Sequence, residues 1–174
     1  MSRRRLGLLL VLGLALGCAG VREALEPTPR GEPSGRAGWL LYEVGGLRFE
    51  APEGWAPSGG PRHLRLEGAG GGVRLEVSTP EEPFASETAC MKSAEEALRR
   101  GDQLERARHH PTRFAGARAL TLEGDQAGWH VWAWAACDGA RQVQVFFTAR
   151  SPASPEALEA LRTLTASARM GGEA

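Results

Sequence analysis

One lysine, Lys92, stands against twenty arginines in this 174-residue chain, and beyond Arg3, Arg4 and Arg5 no basic run or patch forms. Phosphate binding needs clustered Lys and Arg, so nucleic acid is not an expected partner. Long apolar runs are also missing. The longest, Leu6 to Leu16, has eleven uncharged residues, against the roughly 20 a membrane-spanning helix needs. There is no Gly-x-Ser-x-Gly turn to present a serine nucleophile, and no His-x-His or Cys-x-x-Cys spacing to hold a metal. The glycine stretch from Gly68 to Gly72 lacks the following Lys-Ser/Thr of a phosphate cradle. It reads as a loop between antiparallel strands.

The remaining candidates for chemistry have plain explanations. His109 and His110 are adjacent, and neighbours on a strand point to opposite faces. His63 and His130 lie far off in the chain. Glu81-Glu82 and Glu95-Glu96 fall in a loop and on an exposed helix face. Ser78, Ser86 and Ser93 have ordinary turn, cap and helix roles. No catalytic residue, no metal ligand and no cofactor is therefore nominated, and the expectation is a protein that is not an enzyme.

What is present begins at the first residues. Three arginines, a short apolar stretch and small residues before a possible cut describe a secretory signal. The stretch ends in Ala15-Leu16-Gly17-Cys18, which resembles a bacterial lipoprotein signal. In such signals the cysteine is lipidated and becomes the new N-terminus. Gly17 and Cys18 fit that pattern, whereas Ala15 and Leu16 depart from its usual residues. An ordinary signal peptide cut nearby is the alternative. The lipoprotein reading divides the chain into a signal over 1–17, a lipidated Cys18 with a disordered tether to 37, a domain over 38–170 and a tail over 171–174. The address it implies is the cell envelope, most simply the outer membrane facing the periplasm.

Removing residues 1–17 leaves 157, one domain's worth and large enough for a core. It also leaves 18 basic against 21 acidic residues, a net charge of −3. With Cys18 spent on lipid, Cys90 and Cys137 remain as an even pair in an oxidising compartment, and a disulfide is expected. Closing a loop of 47 residues would stabilise by up to about 4 kcal/mol on the chain-entropy model. Two buried reduced thiols remain the alternative on the residues alone.

Residues 19 to about 36 are rich in proline, glycine and charge and read as a tether, reaching at most about 60 Å if stretched. Trp39–Val44 and Leu47–Glu50 then read as strands joined by the two-residue turn Gly45-Gly46. Pro52 to Trp55 turns the chain, and His63–Glu67 and Val73–Val77 alternate as further strands. A helix opens at Ser86, with Cys90, Met91, Ala94, Ala97 and Leu98 on one stripe and Gly101 as its stop. Gln103 to His110 is ambiguous between strand and loop. Three strands follow in a meander: Ala117–Glu123, Trp129–Ala136 and Arg141–Ala149. The middle one is apolar on both faces, so both faces should be covered. A second helix begins at Pro155, with Leu158, Leu161, Leu164 and Thr165 as its expected buried stripe. This order describes an α+β domain in which helices pack on an antiparallel sheet.

Gly46-x-x-Phe49-x-x-Pro52-x-Gly54-Trp55, together with that element order, resembles the PsbP-like domains, including small bacterial lipoproteins of the DcrB kind. The resemblance spans about residues 39–169. It implies an α/β/α sandwich and an accessory or binding role, and it carries over no catalytic residue. The corner also makes physical sense alone: Pro52 denies a ladder donor, and Trp55 can plug the end of the core.

Two functions are expected on these grounds. The first is a lipid-anchored envelope module that binds a protein partner, with Trp129, Trp132 and Trp134 as a possible docking surface. The second is a periplasmic small-ligand binder with a pocket between sheet and helices. An exposed apolar patch over a closed core would favour the first. An apolar cavity with a few convergent polar groups would favour the second.

Overall fold

The computed structural model describes residues 27–99 and 104–171. The signal, Cys18, the start of the tether, Gly101 and the last three residues lie outside the described residues. The strands are β1 (Glu32–Pro33), β2 (Trp39–Val44), β3 (Leu47–Pro52), β4 (Ala56–Gly60), β5 (His63–Glu67), β6 (Val73–Ser78), β7 (Glu105–Phe114), β8 (Ala117–Gln126), β9 (Trp129–Asp138), β10 (Arg141–Arg150) and β11 (Arg169–Met170). The helices are α1 (Glu87–Arg99) and α2 (Pro155–Ser167).

The strands form two antiparallel sheets. One has the order β1-β2-β3-β11; the other, of seven strands, runs β4-β5-β6-β10-β9-β8-β7. The class is α+β, with α1 on one face of the large sheet and the small sheet with α2 on the other side. Tyr42, Phe49, Leu64, Leu66, Leu75, Val77 and Phe147 make the larger core, which also takes Ala157, Ala160 and Leu164 from α2. Cys90, Ala94 and Leu98 of α1 make a smaller core with Leu122, Ala133, Ala135 and Cys137. β9 is thus buried on both faces, which is why its sequence shows no polar alternation.

Several elements differ from the sequence reading. Pro52 to Trp55 does turn the chain, but Ala56–Gly60 then forms β4, a strand with no apolar period to announce it. From Glu105 onward the ambiguous stretch is strand β7, so the final meander has four strands; Gln103 lies outside the described residues. β7 contains Pro111 and carries a bulge between Glu105 and Arg108, and both are tolerated because it is an edge strand. The expected end of the first meander strand at Glu123 moves to Gln126, which pairs with Trp129 and leaves only Ala127-Gly128 as the turn. Ala127 and Gly128 both take positive φ, 49° and 82°, as a tight hairpin requires.

Helix α2 buries Ala157, Ala160, Thr163 and Leu164 and leaves Leu158 38% exposed. The helix therefore presents its small residues to β3, and Ser167 Oγ accepts from the Glu50 N–H at 2.9 Å. The tether also ends earlier than expected. Thr28 Oγ1 donates to the Gly59 carbonyl at 2.8 Å, β1 pairs with β2, and Arg36 reaches Glu159 at 2.6 Å and Thr163 at 2.8 Å. Residues 27–37 are thus strapped to the domain rather than free.

Candidate functional site

The α1 face of the large sheet positions the site. Side chains alternate along each strand, so Arg74 and Glu76 of β6 share this face with Gln144, Phe146 and Thr148 of β10, Val131 of β9 and Leu122 of β8. Helix α1 lies over β9, β8 and β10. Ser86 caps it, its Oγ accepting from the Ala89 N–H at 3.2 Å, and Glu87 sits in its first turn. Cys90 is bonded to Cys137, which ties α1 to the C-terminal end of β9. Below the helix, Gln142 is buried and its Nε2 donates to the Cys90 carbonyl at 3.1 Å. Gln144 Nε2 donates in turn to Gln142 Oε1 at 2.7 Å.

Toward β6 and β5 the same face turns charged. Arg65 reaches Glu67 at 3.1 Å and Glu76 at 3.8 Å, and Arg74 reaches Glu76 at 4.0 Å. The step between the helix-covered half and the charged half is a half-open cleft of about 480 Å³. Its apolar lining is Leu122, Val131, Phe146, Ala97 and Leu104. Polar side chains converge on it from three strands: Arg74 and Glu76, Gln144 and Thr148, and Gln126. Arg74 Nε is buried with no hydrogen-bond partner among the described residues.

The structure separates the three tryptophans that the sequence grouped. Trp129 is on the α1 face, opposite Gln126 on β8, with the Arg150 guanidinium 5.2 Å from its ring. Trp132 and Trp134 point to the other face. Trp134 is 9% exposed and stacks on Phe114 at 5.1 Å. Trp132 packs edge-on against Phe147 at 5.9 Å. No common docking surface exists, because neighbouring positions on β9 serve different layers.

The sequence reading also missed a cluster at the β8–β9 hairpin. His130 Nδ1 is 2.8 Å from Asp125 Oδ1, and its Nε2 is 3.1 Å from Glu123 Oε1. Arg106 adds a 2.7 Å ion pair to Asp125, and the His130 ring lies 4.2 Å from Trp132. Its hydrogen bond to His130, aided by Arg106, holds the Asp125 carboxyl below the usual carboxylate range. His130 was set aside for its distance from the other histidines, yet antiparallel pairing brings Asp125 directly opposite it. His109 and His110 stand on edge strand β7 opposite Leu122 and Thr121. Among the described residues no group of three or more His, Cys, Asp or Glu is placed to hold a metal ion.

This arrangement defines an α+β sandwich with one disulfide-pinned helix and a cleft beside it. The fold is PsbP-like. The solution structure of the cyanobacterial PsbP protein (CyanoP) from Synechocystis superposes with a TM-score of 0.52 at 14% identity, covering 81% of this chain and 98% of that one. A crystal structure from Bacteroides thetaiotaomicron gives 0.53 at 11% identity over 75% of this chain, which spans about half the length of that protein (47%). No family model matches the chain, and no curated protein matches it.

Proposed function

We propose that this chain is a non-catalytic binding module of the cell envelope, anchored through lipid on Cys18 and using the cleft beside α1 to hold a small ligand. The observation that carries this reading is the cleft itself: an apolar floor with a few converging polar groups. The protein-docking alternative has less support. Leu158 is the one exposed large hydrophobic among the described residues, and Trp134 is buried. The non-catalytic reading is supported by the His130 cluster, whose contacts join its members to one another. If Cys18 carries the lipid, the nine residues to Pro27 reach about 30 Å at most, so the domain works close to the outer membrane's periplasmic surface.

The test is two-dimensional NMR of the full chain against a fractionated extract of envelope lipids and metabolites. Shifts at Val131, Phe146 and Thr148 are expected. Shifts confined to other surfaces would overturn the cleft as the site. Palmitate labelling of the wild-type chain and of Cys18→Ser tests the anchor separately.

A further inference from the structure

We infer that the ligand of this cleft is an uncharged, hydroxyl-rich ring, a sugar; this names the ligand for the binding reading above and rests on it. The floor is centred on Phe146, which interrupts the polar series Gln142, Gln144 and Thr148 of β10 and is only partly buried. On the same sheet face Glu76 stands directly opposite it on β6, and Arg74 lies on the diagonal. Gln144 and Thr148 sit two residues away on either side. Toward β9 its neighbours are apolar, Ala133 opposite and Val131 on the diagonal. One phenyl ring is thus bordered by hydrogen-bonding groups on three sides and by hydrocarbon on the fourth.

The charges around it cancel. Glu76 lies 4.0 Å from Arg74 and 3.8 Å from Arg65, and Arg74 also stands opposite Glu67 on β5. An ion of either sign would upset that balance. Both Glu76 distances are longer than a hydrogen bond, so these groups neutralise one another while their N–H groups and carboxylate oxygens stay open to a ligand. Arg74 Nε is a buried donor with no acceptor among the described residues, a cost that an incoming hydroxyl oxygen would relieve. Gln144 gives its Nε2 to Gln142 and keeps Oε1 as an acceptor. Neither Gln126 nor Thr148 makes a side-chain hydrogen bond among the described residues. Donors and acceptors are interleaved around the floor, which suits hydroxyl groups, because each of them does both. A sugar ring also has an apolar C–H face, weakly positive, to lie on the negative face of Phe146. A purely aliphatic ligand would leave Arg74 Nε unmet, and a sugar satisfies floor and rim together. The volume of about 480 Å³ lies within the range of small-molecule sites, about 300–1,000 Å³.

The experiment titrates the full chain, with Cys18→Ser to remove the anchor and with its disulfide formed, by calorimetry and two-dimensional NMR. The probes are maltose, cellobiose and N,N′-diacetylchitobiose, with methyl glucoside, glucuronate and glucosamine as a neutral, anionic and cationic set. At least one disaccharide is expected to bind one to one and to shift Phe146, Val131 and Thr148. Methyl glucoside should bind severalfold tighter than glucuronate or glucosamine. Phe146→Ala should weaken the disaccharide at least tenfold and Phe146→Trp should retain it. Thr148→Val, which keeps shape and strand preference, should weaken it at least threefold and covers the case in which Phe146→Ala does not fold. Glucuronate or glucosamine binding as tightly as methyl glucoside, or undiminished binding by Thr148→Val and any folded Phe146→Ala, would overturn the assignment. Failure of all three disaccharides would overturn it too, and would leave a binding cleft if an extract component still shifts the cleft residues. Failure of the sugars and of the extract together would remove the binding reading as well.

Discussion

On one side of the large sheet, Leu64, Leu66, Leu75, Val77, Val145 and Phe147 are sealed under Tyr42, Phe49 and the alanines of α2. On the other, α1 offers mainly Cys90, Ala94 and Leu98, and it covers only part of the face. The first core is large, aromatic and uncrosslinked. The second is small, built from alanine and cysteine, and held by a disulfide. A short helix whose buried stripe is mostly small contributes little apolar area, at about 25 cal/mol per Å². The crosslink compensates by restricting the unfolded chain. The incomplete cover also leaves the cleft beside α1.

The comparison can be broken first on its strong side. Phe147→Ala should cost about 3–5 kcal/mol in urea unfolding, because the cavity forms where Trp55 and Trp132 cannot collapse. A loss below about 1 kcal/mol would mean that the larger core is not the main source of stability. Trp134→Ser should cost a similar amount, whereas Trp129→Ser should cost much less and leave the melting temperature within a few degrees.

On the weak side, Cys90→Ser with Cys137→Ser should cost about 2–4 kcal/mol, and hydrogen exchange should localise it. Amides of α1 are expected to lose protection while those of β3 and β5 keep theirs. Uniform loss over both cores would show that the two layers unfold as one.

Acid separates the layers less strongly. Asp125 has its folded-state pKa depressed, by His130 first and Arg106 next. Its contribution is therefore present above the ordinary carboxylate pKa of about 3.9 and is lost as pH falls through the lower folded value. Asp125→Asn should lower stability at pH 7, flatten the decline below about pH 4 and converge on the wild type at the acid end, read from urea midpoints across that range. The smallest effect is expected at the β8–β9 hairpin. Ala127 adopts φ 49°, which costs an alanine about 1 kcal/mol or more, so Ala127→Gly should raise stability by no more than about 1 kcal/mol.

Much of the fold was legible wherever local pattern and burial agree. The Gly45-Gly46 hairpin, the stripe of α1 and the doubly apolar β9 all follow from spacing alone. β4 was not legible, because Ala-Pro-Ser-Gly-Gly has no strand period and pairs only because β5 offers an edge. The stripe of α2 was misread by weighting Leu158 and Leu161 over Ala157 and Ala160. Helix packing rewards close approach as well as hydrophobicity, and alanine permits it. The cleft was least legible of all. Phe146 interrupts the polar series Gln142, Gln144, Thr148, and that apolar residue out of step was the one local sign of it.

The sequence by itself determined the α+β class, the even cysteine pair and most hairpins, since these depend on neighbours within a few residues or on counting. The proposed lipid signal ending at Cys18 rests on the sequence alone, since it is read as a string. Only the tertiary structure decided which tryptophans are buried, that Asp125 and Glu123 bracket His130, and that Arg74 and Glu76 meet Leu122 and Phe146 around one cleft. Those relations join residues that strand pairing brings together, and pairing across a sheet is set by competition among whole strands rather than by any residue's own preference.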